Sequence, residues 1–145
     1  MPIFCYNFIV KGKLETLSFT KDKIDKLENL LDSFCSQTNT VWVMLTTTSG
    51  HLLAQRGFVY SFDVLTINAL ACGIFSSTMA LANLIGEKNF KEFLQEGKKK
   101  SIYYITVNEN YLLVSLFDDR TIAGVVKVAS KEFSTLAEKI LSEAR

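Results

Sequence analysis

The hydrophobic positions of this chain follow two rhythms, one of helical period and one alternating or unbroken. The changes between them lay out the elements. Residues 3–10 read as a strand, Lys11-Gly12-Lys13 as a turn, and residues 14–19 as a returning strand, together a hairpin. Thr20 is placed to cap a helix that carries Asp22 in its first turn. Ile24, Leu27, Leu30, Leu31 and Phe34 then keep helical period to about Cys35, and residues 37–40 read as a polar loop. Residues 41–47 are β-branched and aromatic, a strand; Ser49-Gly50 is a tight turn; residues 51–56 return as its partner.

The most informative stretch is a long helix over residues 63–85. Ser61 is its expected cap, Tyr60 and Leu65 its hydrophobic staple, and Gly86 its terminator. Ile67, Leu70, Ile74, Leu81 and Ile85 form one greasy stripe, which should meet the protein's own sheet. Leu65, Ala69, Cys72, Gly73, Ser76 and Ala80 form a second stripe of mostly small residues, which would let another backbone come close. Between Asp63 and Glu87 there is no charged side chain, whereas the surface helix of a monomer turns charge outward. The helix is therefore expected to be covered on both sides, by its own sheet and by a second protein surface.

Residues 87–100 are charged around an anchor of Phe90, Phe93 and Leu94 and read as a short amphipathic turn or loop. Three strands follow, at 102–107, 111–117 and 122–128, joined by turns at 108–110 and 118–121. A closing helix at about 131–143 should bury Phe133, Leu136, Ile140 and Leu141. Residues 111–117 are nearly all apolar, the mark of a strand buried on both faces. The sheet should thus be sandwiched, with the long helix on one side and the first and last helices on the other.

Composition narrows the function classes. The 145 residues suit one domain with a real core, and a net charge of +1 gives no global field for nucleic acid or anionic membrane. The apolar runs, broken at Asn68, Ser76, Ser77, Thr78 and Asn83, fall short of the ~18 residues of a membrane span. The first residues lack a basic signal-peptide region. Cys5, Cys35 and Cys72 are odd in number and widely spaced, as reduced thiols of a cytoplasmic protein would be.

Candidate chemistry is sparse. There is no phosphate loop and no Gly-x-Gly-x-x-Gly fingerprint, and one histidine with no close cysteine pair argues against a zinc site. His51 with Cys72 could form a base and nucleophile, but each is explained by turn and packing. Asp118-Asp119 beside Arg120 reads as a turn rather than an acid–base pair, and Lys98, Lys99 and Lys100 as a solvated loop. Arg56 beside Gly57 could serve as an arginine finger, the weaker reading. No catalytic residue, cofactor or metal is expected. A ligand sensor would need a pocket with convergent polar groups, and the strands offer few inward polar residues.

The run from His51 through Val128 resembles the roadblock/LC7 domain, and within that family the MglB-type partners of Ras-like GTPases. The resemblance rests on Ser49-Gly50 opening a strand that ends at Arg56-Gly57, and on the alanine-rich helix ending Leu84-Ile85-Gly86-Glu87 with Phe90 beyond. It continues through Glu96-Gly97 before Ser101-Ile102-Tyr103, then Phe117-Asp118-Asp119-Arg120-Thr121 leading to Gly124-Val125-Val126. It spans residues 20–145 and leaves residues 1–19 as a β extension outside the usual domain. It implies an α+β, profilin-like sandwich: a five-stranded antiparallel sheet, one long helix on one face and two on the other. It implies a homodimer made by packing the central helices and joining the sheets at edge strands, here taken as residues 63–85 and 101–107. The expected dimer residues are Leu65, Ala69, Cys72, Gly73, Ser76 and Ala80 with Ile102, Tyr103, Tyr104 and Ile105. It further implies a non-catalytic partner of a Ras-like small GTPase, an activator or else a scaffold. Phe62, Thr66, Asn68, Ser77 and Asn83 are the candidates to face that GTPase.

Overall fold

A computed structural model describes residues 19–58 and 63–142. Thr20 caps the first helix, α1 (Lys21–Thr38), its hydroxyl accepting from the Lys23 amide at 3.1 Å. The helix runs one turn beyond its expected end, because the Thr38 hydroxyl donates to the Phe34 carbonyl and Asn39 closes the helix in the left-handed region at φ 58°. Strands β1 (Trp42–Thr47) and β2 (Leu52–Gly57) form the expected hairpin. The long helix, α2 (Val64–Leu84), is capped by Asp63 rather than by Ser61, which lies outside the described residues with Tyr60 and Phe62. Then come β3 (Glu92–Glu96), β4 (Ser101–Val107), β5 (Tyr111–Phe117) and α3 (Ala123–Ser142). The expected hairpin of residues 3–19 also lies outside the described residues, apart from buried Phe19.

The five strands form one sheet in the order β2-β1-β5-β4-β3, every neighbouring pair antiparallel. Central β5 is buried along almost its whole length, as its unbroken apolar run requires. Its side chains alternate between two cores. Leu113 and Phe117 join Val43, Leu45, Tyr103 and Ile105 under α1 and α3. Leu112, Val114 and Leu116 join Trp42, Met44 and Tyr104 under α2, through Ala71 and Phe75. The first and third helices thus share one face and the long helix has the other.

Two element assignments are corrected. Residues 122–128 are not a strand: Ile122 precedes α3, and residues 123–128 are its first turns. Their β-branched residues imitate a strand, yet Val126, Ala129, Ser130, Phe133, Ala137 and Leu141 are the buried positions and recur at helical spacing. Leu136, expected inside, is exposed. The missing strand is β3, drawn from the segment expected to be a loop. It lies at the sheet margin, where charged ends are compatible with pairing on one side, and it is anchored by Phe93 stacked on Tyr104 at 4.3 Å between ring centroids. The β4–β5 connection turns at Asn108 and Glu109, with φ 48° and 77°.

By length and composition α2 is apolar enough to cross a bilayer, with mean hydropathy 1.7, so its scattered polar residues do not interrupt it as expected. Here it lies on the sheet instead.

Ser115 and Ser130 place fully buried hydroxyls in the core under α1 and α3, with no hydrogen-bond partner among the described residues. An unsatisfied buried hydroxyl forfeits its water bonds without compensation. The double variant Ser115→Ala/Ser130→Ala is expected to be more stable by roughly 1 kcal/mol per site. The check is an increased urea midpoint with an unchanged m-value.

Candidate interaction surface

The surface is built by the way α2 is rotated on its sheet. The side chains it buries are Asn68, Ala71, Cys72, Phe75 and Ala82. Small Ala71, Cys72 and Ala82 let the helix approach, and Phe75 fills the space beside them. Asn68 donates to the Gly50 carbonyl at 3.0 Å, and the Cys72 thiol to the Thr47 carbonyl at 3.5 Å, so both are spent on holding α2 to the β1–β2 hairpin. Cys72, expected on the outward small stripe, and Asn68, expected toward a GTPase, are both buried against the hairpin in the single chain.

Of the stripe expected inside, Ile67 and Ile74 pack against the sheet, but Leu70, Leu81 and Ile85 face outward. Leu65 is 67% exposed, Leu70 63%, Leu81 53%, Leu84 84% and Ile85 62%. Ala69, Gly73, Ser76 and Ala80 lie exposed among them, as do Thr66, Ser77 and Asn83. Thr66 is partly engaged, because its hydroxyl donates to the capping carboxylate of Asp63 at 2.7 Å, and these bonds hold that carboxyl below its usual range.

Beside α2 the sheet is wider than the helix that covers it. A groove of about 550 Å³ opens there. Trp42, Leu116 and Ile102 form its floor, Ile67, Leu70 and Ile74 its wall, and the tip of the β3–β4 hairpin its lip. Trp42 is held in place by its indole N–H, which donates to Gln55 Oε1 at 2.8 Å. The Tyr104 hydroxyl donates to Gln95 Oε1 at 2.6 Å and fixes the lip. Leu70 and Ile74 also border a shallow depression on the outer side of α2 that reaches Ser77 and Leu81. Groove, helix face and the β3 margin are therefore continuous.

Strand 101–107 is not the edge it was taken to be. β4 is paired on both sides, by β5 and by β3, so its backbone has no row of groups to offer another chain. Its four named residues also divide. Tyr103 and Ile105 point into the core under α1 and α3, while Ile102 and Tyr104 lie on the groove side. The marginal strand on this side is β3.

The chemical candidates are held in structural roles. Arg56 is gripped by two carboxylates of α1, its Nε 2.9 Å from Asp32 and an Nη 3.1 Å from Glu28. Arg56→Ala is expected to cost under about 1 kcal/mol, because the cluster is partly solvated. It should also leave any effect of this protein on a partner unchanged, which a binding or hydrolysis assay on the variant checks. Arg120 lies against Asp118 at 3.1 Å and holds that carboxyl below its usual range, an ion pair within one turn. Burial pushes the Cys72 thiol up, away from the thiolate that a nucleophile needs. Among the described residues no group of three or more histidine, cysteine or carboxylate side chains could hold a metal ion.

The sequence reading of the outward face missed exposed Leu70, Leu81, Leu84 and Ile85, and it missed the marginal strand β3. One available signal was Asn68, an amide on a helix otherwise free of anchors, four residues before Cys72 and seven before Phe75.

No protein-family model and no curated protein sequence matches the chain significantly. Solved structures do. MglB of Myxococcus xanthus superposes with a TM-score of 0.79 at 30% identity, covering 82% of this chain and 97% of its own. The gliding protein MglB of Thermus thermophilus gives 0.80 at 26% identity over 87% and 96% of the two chains. A roadblock/LC7 domain from Streptomyces avermitilis, at 15% identity, shares the fold with a TM-score of 0.72 over 79% and 97%. With one long helix across one sheet face, two helices on the other and this likeness to MglB over most of its length, the chain belongs to the roadblock/LC7 family as an MglB-like member.

Proposed function

We propose that this protein is a homodimeric regulator of a Ras-like small GTPase. It binds the GTPase as a dimer and stimulates hydrolysis of GTP without contributing a catalytic residue. The observation that carries the proposal is the outward face of α2: five large aliphatic side chains exposed on one charge-free helix, continuous with an apolar groove and a marginal strand. Isolated exposed leucines are ordinary, but several large aliphatic side chains exposed along one helix and its C-cap mark an interaction surface. A second copy related by a two-fold axis would lay its own α2 beside this one and over the uncovered part of the sheet. Its β3 would run along this β3, where backbone groups are available to extend the sheet.

The paired helices and the loops around them then form the surface offered to the GTPase. Thr66, Ser77 and Asn83 are exposed along α2 and remain the candidates to meet it. The similarity to MglB supports a regulator, and the tethering of Arg56 and Cys72 supports a mode of action in which the GTPase's own catalytic groups are repositioned. The protein is expected to act in the cytoplasm.

The test is single-turnover GTP hydrolysis by the Ras-like GTPase of the same organism at rising concentrations of this protein. Acceleration that saturates near two chains per GTPase is the expected result. Binding without acceleration makes the protein a scaffold, and absence of binding removes the GTPase as its partner.

A further inference from the structure

We propose that the seam between α1 and α3, on the sheet face opposite α2, docks an amphipathic helix of another protein, one that carries a basic side chain midway along its apolar stripe. The seam starts from the sequence of α3 and the residue before it. Ile122, Val125, Val128 and Leu136 are exposed, where a helix that met only its own sheet would turn polar residues outward.

Two depressions follow this row. One of about 420 Å³ is lined by Ile122, Val125 and Val128, and one of about 150 Å³ by Leu30, Phe34 and Leu136. Gln37, Ala129 and Glu132 border both, so the two make one trough. Its walls are fixed to each other by Phe34, which meets Phe133 edge-on with ring centroids 6.2 Å apart. From Ile122 to Leu136 the trough follows about four helical turns, roughly 20 Å.

The walls decide the backbone of the occupant. Both are helices, with N–H and C=O groups bonded internally along their length, so the trough offers side chains alone. An extended segment laid there would leave its own backbone groups unpaired against apolar surface, whereas a helix satisfies them itself.

Glu132 decides the charge. It is the one charged side chain bordering the trough among the described residues. It has no ion-pair or hydrogen-bond partner among them, and the positions one turn away, Val128 and Leu136, are apolar. Lys131 beside it turns instead to Glu92 of β3, at 3.8 Å. A lysine or arginine on the occupant would complete the carboxylate. The apolar helix of a second copy does not meet this requirement, because α2 carries no charge from 64 to 86. The inference is independent of the GTPase reading, since it uses the other face of the sheet.

The test uses the full chain, methyl-labelled at isoleucine, leucine and valine, and two synthetic helical peptides of about four turns. Each peptide carries leucines at i, i+3 and i+7 spacing, with either lysine or glutamate at the centre of the stripe. The lysine peptide is expected to shift the methyl resonances of Ile122, Val125, Val128 and Leu136. It should bind about fivefold more tightly than the glutamate peptide. Glu132→Lys should reverse that preference, and Val128→Asp should weaken binding of both peptides about tenfold or more. Both positions are exposed, so each variant should keep the wild-type urea midpoint. Equal affinity of the two peptides for the wild type, shifts confined to Leu70 and Ile74, or no binding overturns the proposal. A wild-type particle of four chains that Val128→Asp reduces to two would give the seam to a second copy and also overturns it.

Discussion

Leu70→Asp is expected to convert the protein from dimer to monomer while leaving the fold of each chain nearly intact. Leu70 is mostly exposed in the single chain yet lines both the groove beside α2 and the depression on its outer side. In the dimer its side chain would be buried at the crossing of the two helices, and each copy contributes it, so one substitution acts twice. Burial of a leucine contributes ~1.5–3 kcal/mol, and an unpaired carboxylate in that position adds a desolvation cost. A loss of two such contacts weakens association by at least roughly 100-fold. The stability of the isolated chain should change by under about 1 kcal/mol, as for other exposed positions. Val128→Asp is the matched control: Val128 is 69% exposed, on the opposite face of the sheet, and its substitution should leave the dimer unchanged. Analytical ultracentrifugation with urea denaturation of each variant separates association from folding.

Gly57→Ala is expected to have the largest effect on the fold itself. Gly57 ends β2 with φ +112°, a conformation that side chains rarely adopt. A Cβ there would be driven into the Val41 carbonyl oxygen and to 2.7 Å from the Trp42 Cα. Both neighbours are backbone and cannot rotate away. The Val41 carbonyl also accepts from the Phe58 amide at 2.9 Å, and Trp42 is the largest of the fully buried side chains and part of the groove floor. Strain and clash together are expected to cost ~3 kcal/mol or more, the range of diagnostic core changes. Thermal unfolding should show a fall of many degrees, and fluorescence of the single tryptophan should report the displaced ring. A Gly57→Ala protein as stable as wild type would mean that β2 ends differently.

The parts of the fold legible in the sequence were those whose period is reinforced by a second signal. α1 has Thr20 at one end and a clean apolar stripe. The β1–β2 and β4–β5 hairpins have turn residues between β-branched runs, and β5 showed its central position by lacking alternation. What was not legible lacked that reinforcement. α3 follows Ile122 and opens with Val125, Val126 and Val128 in its first turns, residues that favour strands locally, and only packing of Val126 and Ala129 on the sheet decides for helix. β3 is short, begins and ends on Glu92 and Glu96, and lies between Lys91 and Lys98, so its charges suggested a loop when they belong to a sheet margin.

The candidate surface was legible in kind but not in phase. Absence of charge from 64 to 86 correctly indicated a helix with two apolar faces. The same absence removed the polar face that would have fixed its rotation. Size misled: the larger aliphatic stripe was assigned inward, although Ala71, Cys72 and Ala82 are what allow close approach to the sheet and Leu70, Leu81 and Ile85 face outward. The resemblance to the roadblock/LC7 family agreed with the order of elements read from the residues but did not give this angle.

The central claim is that α2 is the seam between two copies of the chain. Sedimentation equilibrium on the full chain at micromolar concentration tests it most directly. The expected particle has twice the 16.3 kDa chain mass for the wild type and the single chain mass for Leu70→Asp. A wild-type protein that sediments as a monomer, or a Leu70→Asp protein that remains a dimer, contradicts it.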